Sequence, residues 1–197
     1  MLQTFKKLDS DVDFITLNGD LIGHGISNKD ASSSEPAVEQ EIRDLHAKVQ
    51  ALFTQYFPTK PVFFTFGNND CYYHDSAPFK KDKAAFYSYM YNLWFQNHPA
   101  NKQFAAAAQS TFMDGGYYRA DVSSTLSILA YNTLENNPDQ VQTEIGPEKE
   151  NGFQWLEKNL SEQSNRKFLI LTHIYAGARH AHSTKVKADD LWNTNDS

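Results

Sequence analysis

Three polar clusters stand where short apolar runs stop: Asn18-Gly19-Asp20, Gly67-Asn68-Asn69-Asp70 and Thr172-His173. Asp20, Asn68 and His173 offer a carboxylate, an amide oxygen and an imidazole, a mixed donor set suited to Zn, Mn or Fe. A carboxylate can bridge two ions because it has two oxygens. A neutral amide oxygen leaves the ions electron-poor and better Lewis acids. A two-metal site of this kind hydrolyses phosphate esters: one ion lowers the pKa of a bound water, and both clamp the phosphoryl oxygens. His24 follows Asp20 closely, and imidazole is the usual general acid near neutral or mildly acidic pH. Each residue also has a plainer reading. Asp20 could be a turn cap, Asn68-Asn69 a turn, and His173 a satisfied buried histidine. The coincidence of all three at strand ends favours the chemical reading.

Those ends need strands behind them. The runs Val12 to Leu17, Val62 to Phe66 and Phe168 to Leu171 are short, nearly continuous and rich in β-branched or aromatic residues. Strands buried on both faces have that character. Between the first two, Val38, Ile42, Leu45, Val49, Leu52 and Phe53 fall at three- and four-residue steps, one apolar helical face. Ser34 is the expected N-cap, with Pro36 in the first turn. Strand, helix, strand reads as a right-handed βαβ unit with parallel strands. In open α/β sheets, ligands gather at the carboxyl ends of such strands. Further on, helices are expected over 82–98 and 101–112, and a hairpin around Ser123-Ser124. A last helix follows, with Phe153, Leu156 and Leu160 inward. The polar segment 27–35 reads as a loop. The sequence predicts one α/β domain, a mixed β-sheet with flanking helices.

The bulk numbers narrow the field. A net charge of -6 over 197 residues argues against a nucleic-acid-binding surface, which needs a basic face. It does not exclude anionic substrates, because a bound divalent ion can reverse the local field. The single cysteine, Cys71, rules out an intrachain disulfide and a Cys-based zinc site, and reads as structural. No run has the length of a transmembrane segment and no signal peptide is visible. Asp9, Asp11 and Asp13 lack the glycine and glutamate of a calcium loop. His46, His74 and His98 read as surface or core residues, and the aromatic cluster Phe86 to Phe95 as core.

The blocks "GDLIGH", "GNND" and "THIYAG" resemble the GD, GN and H blocks of the calcineurin-like metallophosphoesterases. Their spelling is closest to the acid sphingomyelinase-like phosphodiesterase branch, which also has a histidine where His24 stands. "GGYY", "LAYNT" and "FQWLEKNL" sit where that branch has similar wording, so the resemblance covers about residues 12 to 192. It implies part of a metallophosphoesterase sandwich and two divalent ions in the complete protein, zinc first, with manganese or iron as alternatives. It implies that Asp20 bridges the ions and that Asn68 and His173 complete one shell. It makes His24 the proton donor to the leaving alkoxide. Asn69 stands where the family usually has a histidine that contacts the substrate phosphate; it can donate a hydrogen bond but not shuttle a proton. The implied partner is a small phosphoester or phospholipid substrate, cleaved at a phosphodiester or pyrophosphate bond. The implied compartment is secreted or lysosomal. Two family blocks are missing, Asp-x-His before β-strand 12–17 and Gly-His-x-His at the far end. His180 and His182 do not replace the latter, because they lack the glycine and follow no apolar strand. The domain, 1–197, is therefore expected to be incomplete at both ends. A catalytically inactive binding domain and a broad phosphomonoesterase stand as alternatives.

Overall fold

The computed structural model describes residues 2–26, 36–136, 148–162 and 165–174. A short helix α1 (Leu2–Phe5) and a 3-10 turn precede β1 (Ile15–Leu17), followed by α2 (Pro36–Tyr56) and β2 (Val62–Phe64). Next come α3 (Lys80–Tyr91), α4 (Ala105–Gly115), β3 (Tyr118–Asp121), β4 (Leu126–Ala130), α5 (Glu148–Ser161) and β5 (Lys167–Leu171). A π turn, Asn92–Gln96, extends α3, and a 3-10 stretch, Pro99–Phe104, leads into α4. The expected βαβ unit forms: β1 and β2 pair in parallel, Ile15 opposite Val62 and Leu17 opposite Phe64. The expected hairpin forms as well, with β3 antiparallel to β4. β5 then adds to β4 in parallel. Ser34, segment 27–35, His180 and His182 lie outside the described residues.

The strands fall into two small sheets, β1-β2 and β3-β4-β5, where the sequence suggested one mixed sheet. The reason lies at the free edge of β2. A strand edge needs partners for its N–H and C=O groups, and here side chains supply them. Asn101 accepts from Val62 N at 2.9 Å and donates to Val62 O at 2.7 Å. The Tyr118 hydroxyl accepts from Phe64 N at 2.8 Å and donates to Phe64 O at 2.9 Å. Tyr118 belongs to β3, so the second sheet is fastened to the edge of the first. Thr65 Oγ1 donates to Tyr131 O at 2.9 Å and continues that seam.

The core beside this seam is aromatic. Phe64, Phe66, Trp94, Phe95, Phe112 and Tyr118 are all fully buried. Phe64 stacks on Trp94 at 4.9 Å, and Phe95 meets Tyr118 edge-on at 4.9 Å. Rings of this size bury much apolar area each and hold one another in defined geometry. The cluster Phe86 to Phe95 is core, as its composition suggested.

Three expectations need correction. In α5, Phe153 is 37% and Leu160 46% exposed; the helix buries Gly152 and Asn159 and sets Trp155 against Tyr117 at 4.9 Å. In β5, Leu169 and Ile170 are 42% and 43% exposed, so this strand is not covered on both faces. In α2 the buried line is Ile42, His46 and Gln50, and Leu52 faces outward. Polar residues can occupy that line because each makes a hydrogen bond there, although Nδ1 of His46 is buried without a partner. His46 Nε2 donates to Asp70 O at 2.8 Å, and Gln50 Nε2 donates to Thr54 Oγ1 at 2.8 Å.

Candidate metal centre

The parallel strands β1 and β2 end side by side, and the loops that follow touch through glycine. A side chain on Gly67 would collide with the Asp20 backbone, and one on Gly19 with the Gly67 backbone. Gly19 also adopts φ +83°. Only glycine permits both the approach and that conformation. Asp20 follows at φ +51°, a left-handed turn that aspartate tolerates better than most residues. It meets the loop after β2. Oδ1 accepts the backbone N–H of Asn69 at 3.1 Å, and Oδ2 accepts the Asn69 side-chain amide at 2.9 Å.

Asp70 ties the same loops from beneath. Its Oδ1 accepts from Ile22 N at 3.1 Å and its Oδ2 from Gly67 N at 2.7 Å. It is 0% exposed. Burial pushes its pKa above the usual carboxylate range, while the neighbouring His46 pulls the other way. His46 is shifted down, chiefly by its own burial, so it stays neutral and serves as a donor to the Asp70 carbonyl.

The third donor arrives from the other sheet. His173 follows β5, and its Nδ1 lies 2.6 Å from the carbonyl oxygen of Asn18. A carbonyl oxygen only accepts, so Nδ1 carries a proton, which leaves Nε2 as the nitrogen that would bind a metal, the arrangement metal-bound histidines use. Nε2 stands 3.0 Å from Asn68 Oδ1 and 3.5 Å from Asp20 Oδ1. The Asn68 amide nitrogen is turned away, donating to Asp75 Oδ1 at 3.0 Å. With Nε2 protonated the imidazole itself bridges the two oxygens; with Nε2 bare, the three atoms face one another and a cation among them would replace that proton. Donors about 2.1 Å from one ion stand about 3.0–3.4 Å from each other in tetrahedral or octahedral geometry. The 3.0 Å separation of His173 Nε2 and Asn68 Oδ1 falls in that range, and the 3.5 Å separation of His173 Nε2 and Asp20 Oδ1 lies just beyond it. His173 and Asp20 keep 20% and 32% of their side chains exposed, so the site is open to solvent.

Asp20, Asn68 and His173 are thus brought together as the sequence suggested, though from two sheets. His24 is exposed in the loop after Asp20, its ring centroid 6.0 Å from that of His74. Asn69 is 1% exposed, with its amide turned inward onto Asp20. Its Oδ1 is buried without a partner. Cys71 is buried, and burial pushes its thiol well up, so it stays protonated and structural. Among the described residues no three His, Cys, Asp or Glu side chains gather as a metal cluster; the third donor of this set is the Asn68 amide. Sequence reasoning missed Asp70 and Asp75. Their only signal was a carboxylate close behind the Asn68-Asn69 pair, and nothing local named their partners.

Residues 1–194 match the family described as calcineurin-like phosphoesterase. The chain belongs to that family. It is 27% identical over 180 residues to the sphingomyelinase phosphodiesterase D of Dictyostelium discoideum, covering 90% of this chain and 36% of that protein. It is 29% identical over 148 residues to the cyclic GMP-AMP phosphodiesterase SMPDL3A of Homo sapiens, covering 73% of this chain and 30% of that one. The rat protein of the same name is 28% identical over 148 residues, 73% of this chain and 31% of its own length. The chain spans about a third of the length of these relatives. They are phosphodiesterases by name and belong with the acid sphingomyelinase-like branch that the sequence blocks resemble. The family typically binds two divalent metals, and the convergence of Asp20, Asn68 and His173 suits one of them.

Proposed function

We propose that this chain carries part of the active site of a metal-dependent hydrolase acting on phosphodiester or pyrophosphate bonds. The observation that carries the reading is the convergence of Asp20 Oδ1 and Asn68 Oδ1 on His173 Nε2, which lies 3.5 Å from the first and 3.0 Å from the second. Asp20, Asn68 and His173 would hold a divalent ion, with zinc, manganese and iron all compatible with that donor set. When bound, such an ion supplies a nucleophilic water at neutral pH and neutralises phosphoryl charge.

The chain's own residues do the rest. Asp70 keeps the two loops in register, so the donors do not rearrange when substrate arrives. Asn18 fixes the His173 tautomer through its carbonyl oxygen. His24, exposed beside the site, gives a proton to the departing alkoxide oxygen. Asn69 holds Asp20; contact with a phosphoryl oxygen requires its amide to turn outward. The substrate class, a small phosphoester or phospholipid head group, is supported by kinship with the named phosphodiesterases. The same kinship supports a secreted or lysosomal setting. Among the described residues no helix is long and apolar enough to cross a membrane.

The test is metal content and turnover together. The chain is dialysed against Mn²⁺, bound ions are counted by elemental analysis, and hydrolysis of bis(p-nitrophenyl) phosphate is compared with p-nitrophenyl phosphate. Asp20→Asn suits the left-handed backbone and should lose the ion and turnover with little change in Tm. Full activity in that variant ends the reading. A bound ion without turnover is expected both of a binding domain and of a chain that holds only part of the dimetal site, and faster monoester cleavage favours a phosphomonoesterase.

A further inference from the structure

We infer that Asp75 is a positioning residue that fixes the ligand face of Asn68 and holds His74 beside His24; the inference rests on the metal-centre reading given above. An asparagine can offer a metal either its oxygen or its NH₂ group, and only the oxygen binds. Nothing in Asn68 itself selects between them. Asp75 does so at two points. Its backbone N–H donates to Asn68 O at 2.9 Å, closing the loop. Its Oδ1 accepts from Asn68 Nδ2 at 3.0 Å. With the NH₂ group held on that side, Oδ1 of Asn68 faces His173 Nε2 at 3.0 Å.

The second oxygen of the same carboxylate lies 2.7 Å from His74 Nδ1. That contact holds the His74 imidazole at its ring separation of 6.0 Å from His24. One carboxylate thus orients a metal donor and a second imidazole next to the proposed acid. Asp75 adopts φ +62°, a left-handed conformation that costs most residues energy. The loop is not free to relieve it, because Cys71, Tyr72 and Tyr73 within it are fully buried. Tyr73 stacks on Phe79 at 3.8 Å, and the Tyr72 hydroxyl accepts from Arg43 Nε at 2.6 Å. Anchoring on both sides keeps Asp75 where its two oxygens reach two partners.

Groups of this kind behind a metal ligand typically change metal affinity by about 10–100-fold when removed. The test uses the chain with Asp75→Gly, which accepts the positive φ and removes the carboxylate, and Asp75→Asn, which keeps one acceptor. Calorimetric titration with Mn²⁺ should show at least a tenfold weaker Kd for Asp75→Gly and less than a threefold change for Asp75→Asn. Asn68→Asp presents oxygen whichever way it turns, so adding Asp75→Gly to it should not weaken Mn²⁺ further. Unchanged affinity in Asp75→Gly, with Mn²⁺ lost in Asp20→Asn and His173→Ala, overturns the inference and leaves the metal centre intact. If the unsubstituted chain binds no Mn²⁺, the metal-centre reading fails, and metal-free ¹⁵N NMR decides the inference alone. Movement of the Asn68 side-chain amide and His74 ring nitrogen signals in Asp75→Gly supports the orienting role; unmoved signals overturn it. The same spectra decide the matter from Asp75→Asn, through the His74 signals, should Asp75→Gly not fold.

Discussion

The chemistry of this protein rests on how a few polar atoms are aimed. His173 illustrates it. Its ring could present either nitrogen, and the carbonyl of Asn18, by accepting from Nδ1, turns Nε2 toward Asp20 and Asn68. Asn68 could present either end of its amide, and Asp75 settles that. Asp20 needs an uncommon backbone conformation to face the second loop, and Gly19 and Gly67 give it room. His24 is the exception, since it is exposed and the contact that defines its surroundings is another imidazole, the half-buried His74. Its proposed role as general acid makes a sharp prediction. His24→Ala should slow hydrolysis of esters with alkyl leaving groups by about 100-fold or more, and of p-nitrophenyl esters by far less, because nitrophenolate leaves without a proton. Equal losses on both, measured as kcat/KM across a leaving-group series, would remove His24 from that role.

Among the elements, α2 has a second part beyond crossing between parallel strands. Its buried line carries polar groups that reach the site loop at one end and the turn before β2 at the other. His46 supports the Asp70 backbone. Gln50 and Thr54 lead to His98, whose Nδ1 accepts from Thr54 Oγ1 at 2.9 Å and whose Nε2 donates to Lys60 O at 2.9 Å. Burial is the main cause that moves His98 below the usual histidine value of 6.5. The sign of its effect on stability follows. Above pH 6.5 the ring is neutral in both folded and unfolded chains, and stability is unaffected. Below it the unfolded chain takes up the proton first, so stability falls with pH until the folded ring is charged too. The slope is at most about 1.4 kcal/mol per pH unit for one such histidine. Thermal melts between pH 7.5 and 5.0 should therefore show a falling Tm, and His98→Gln should flatten the slope even though it lowers Tm overall. A parallel slope in the variant would mean that His98 is not held neutral.

On the scale of the whole molecule, the two sheets are fastened by side chains and not by a continuous ladder. Among the described residues the three-stranded sheet ends at β5, with Leu169 and Ile170 each more than two-fifths exposed. Phe153 and Leu160 on α5 add to the apolar surface. Exposed apolar surface of this kind promotes association. The chain on its own should self-associate as concentration rises, seen by sedimentation velocity. Leu169→Thr with Ile170→Thr keeps the β-branched character that strands favour and should shift the distribution toward monomer. No shift would place the association elsewhere.

How much of this was legible beforehand differs by scale. The blocks ending in Asp20, Asn68 and His173 were visible because apolar runs that stop at polar residues are a local pattern. The βαβ unit and the hairpin were visible because period and turn residues are local too. The pairing of strands was less so: Tyr118 and Asn101 close the edge of β2 from 54 and 39 residues away, and no periodicity reports such a contact. The exposure of Phe153, Leu160, Leu169 and Ile170 escaped for a related reason. An apolar face shows which side of an element seeks cover, and only its neighbours decide whether cover is there. The same division runs through the site. Residue types and order determined which atoms could bind a metal and placed the chain in its family. The tertiary structure decided their aim, because the groups that orient them, Asp70, Asp75, His46 and the Asn18 carbonyl, act through contacts made only when the loops have met.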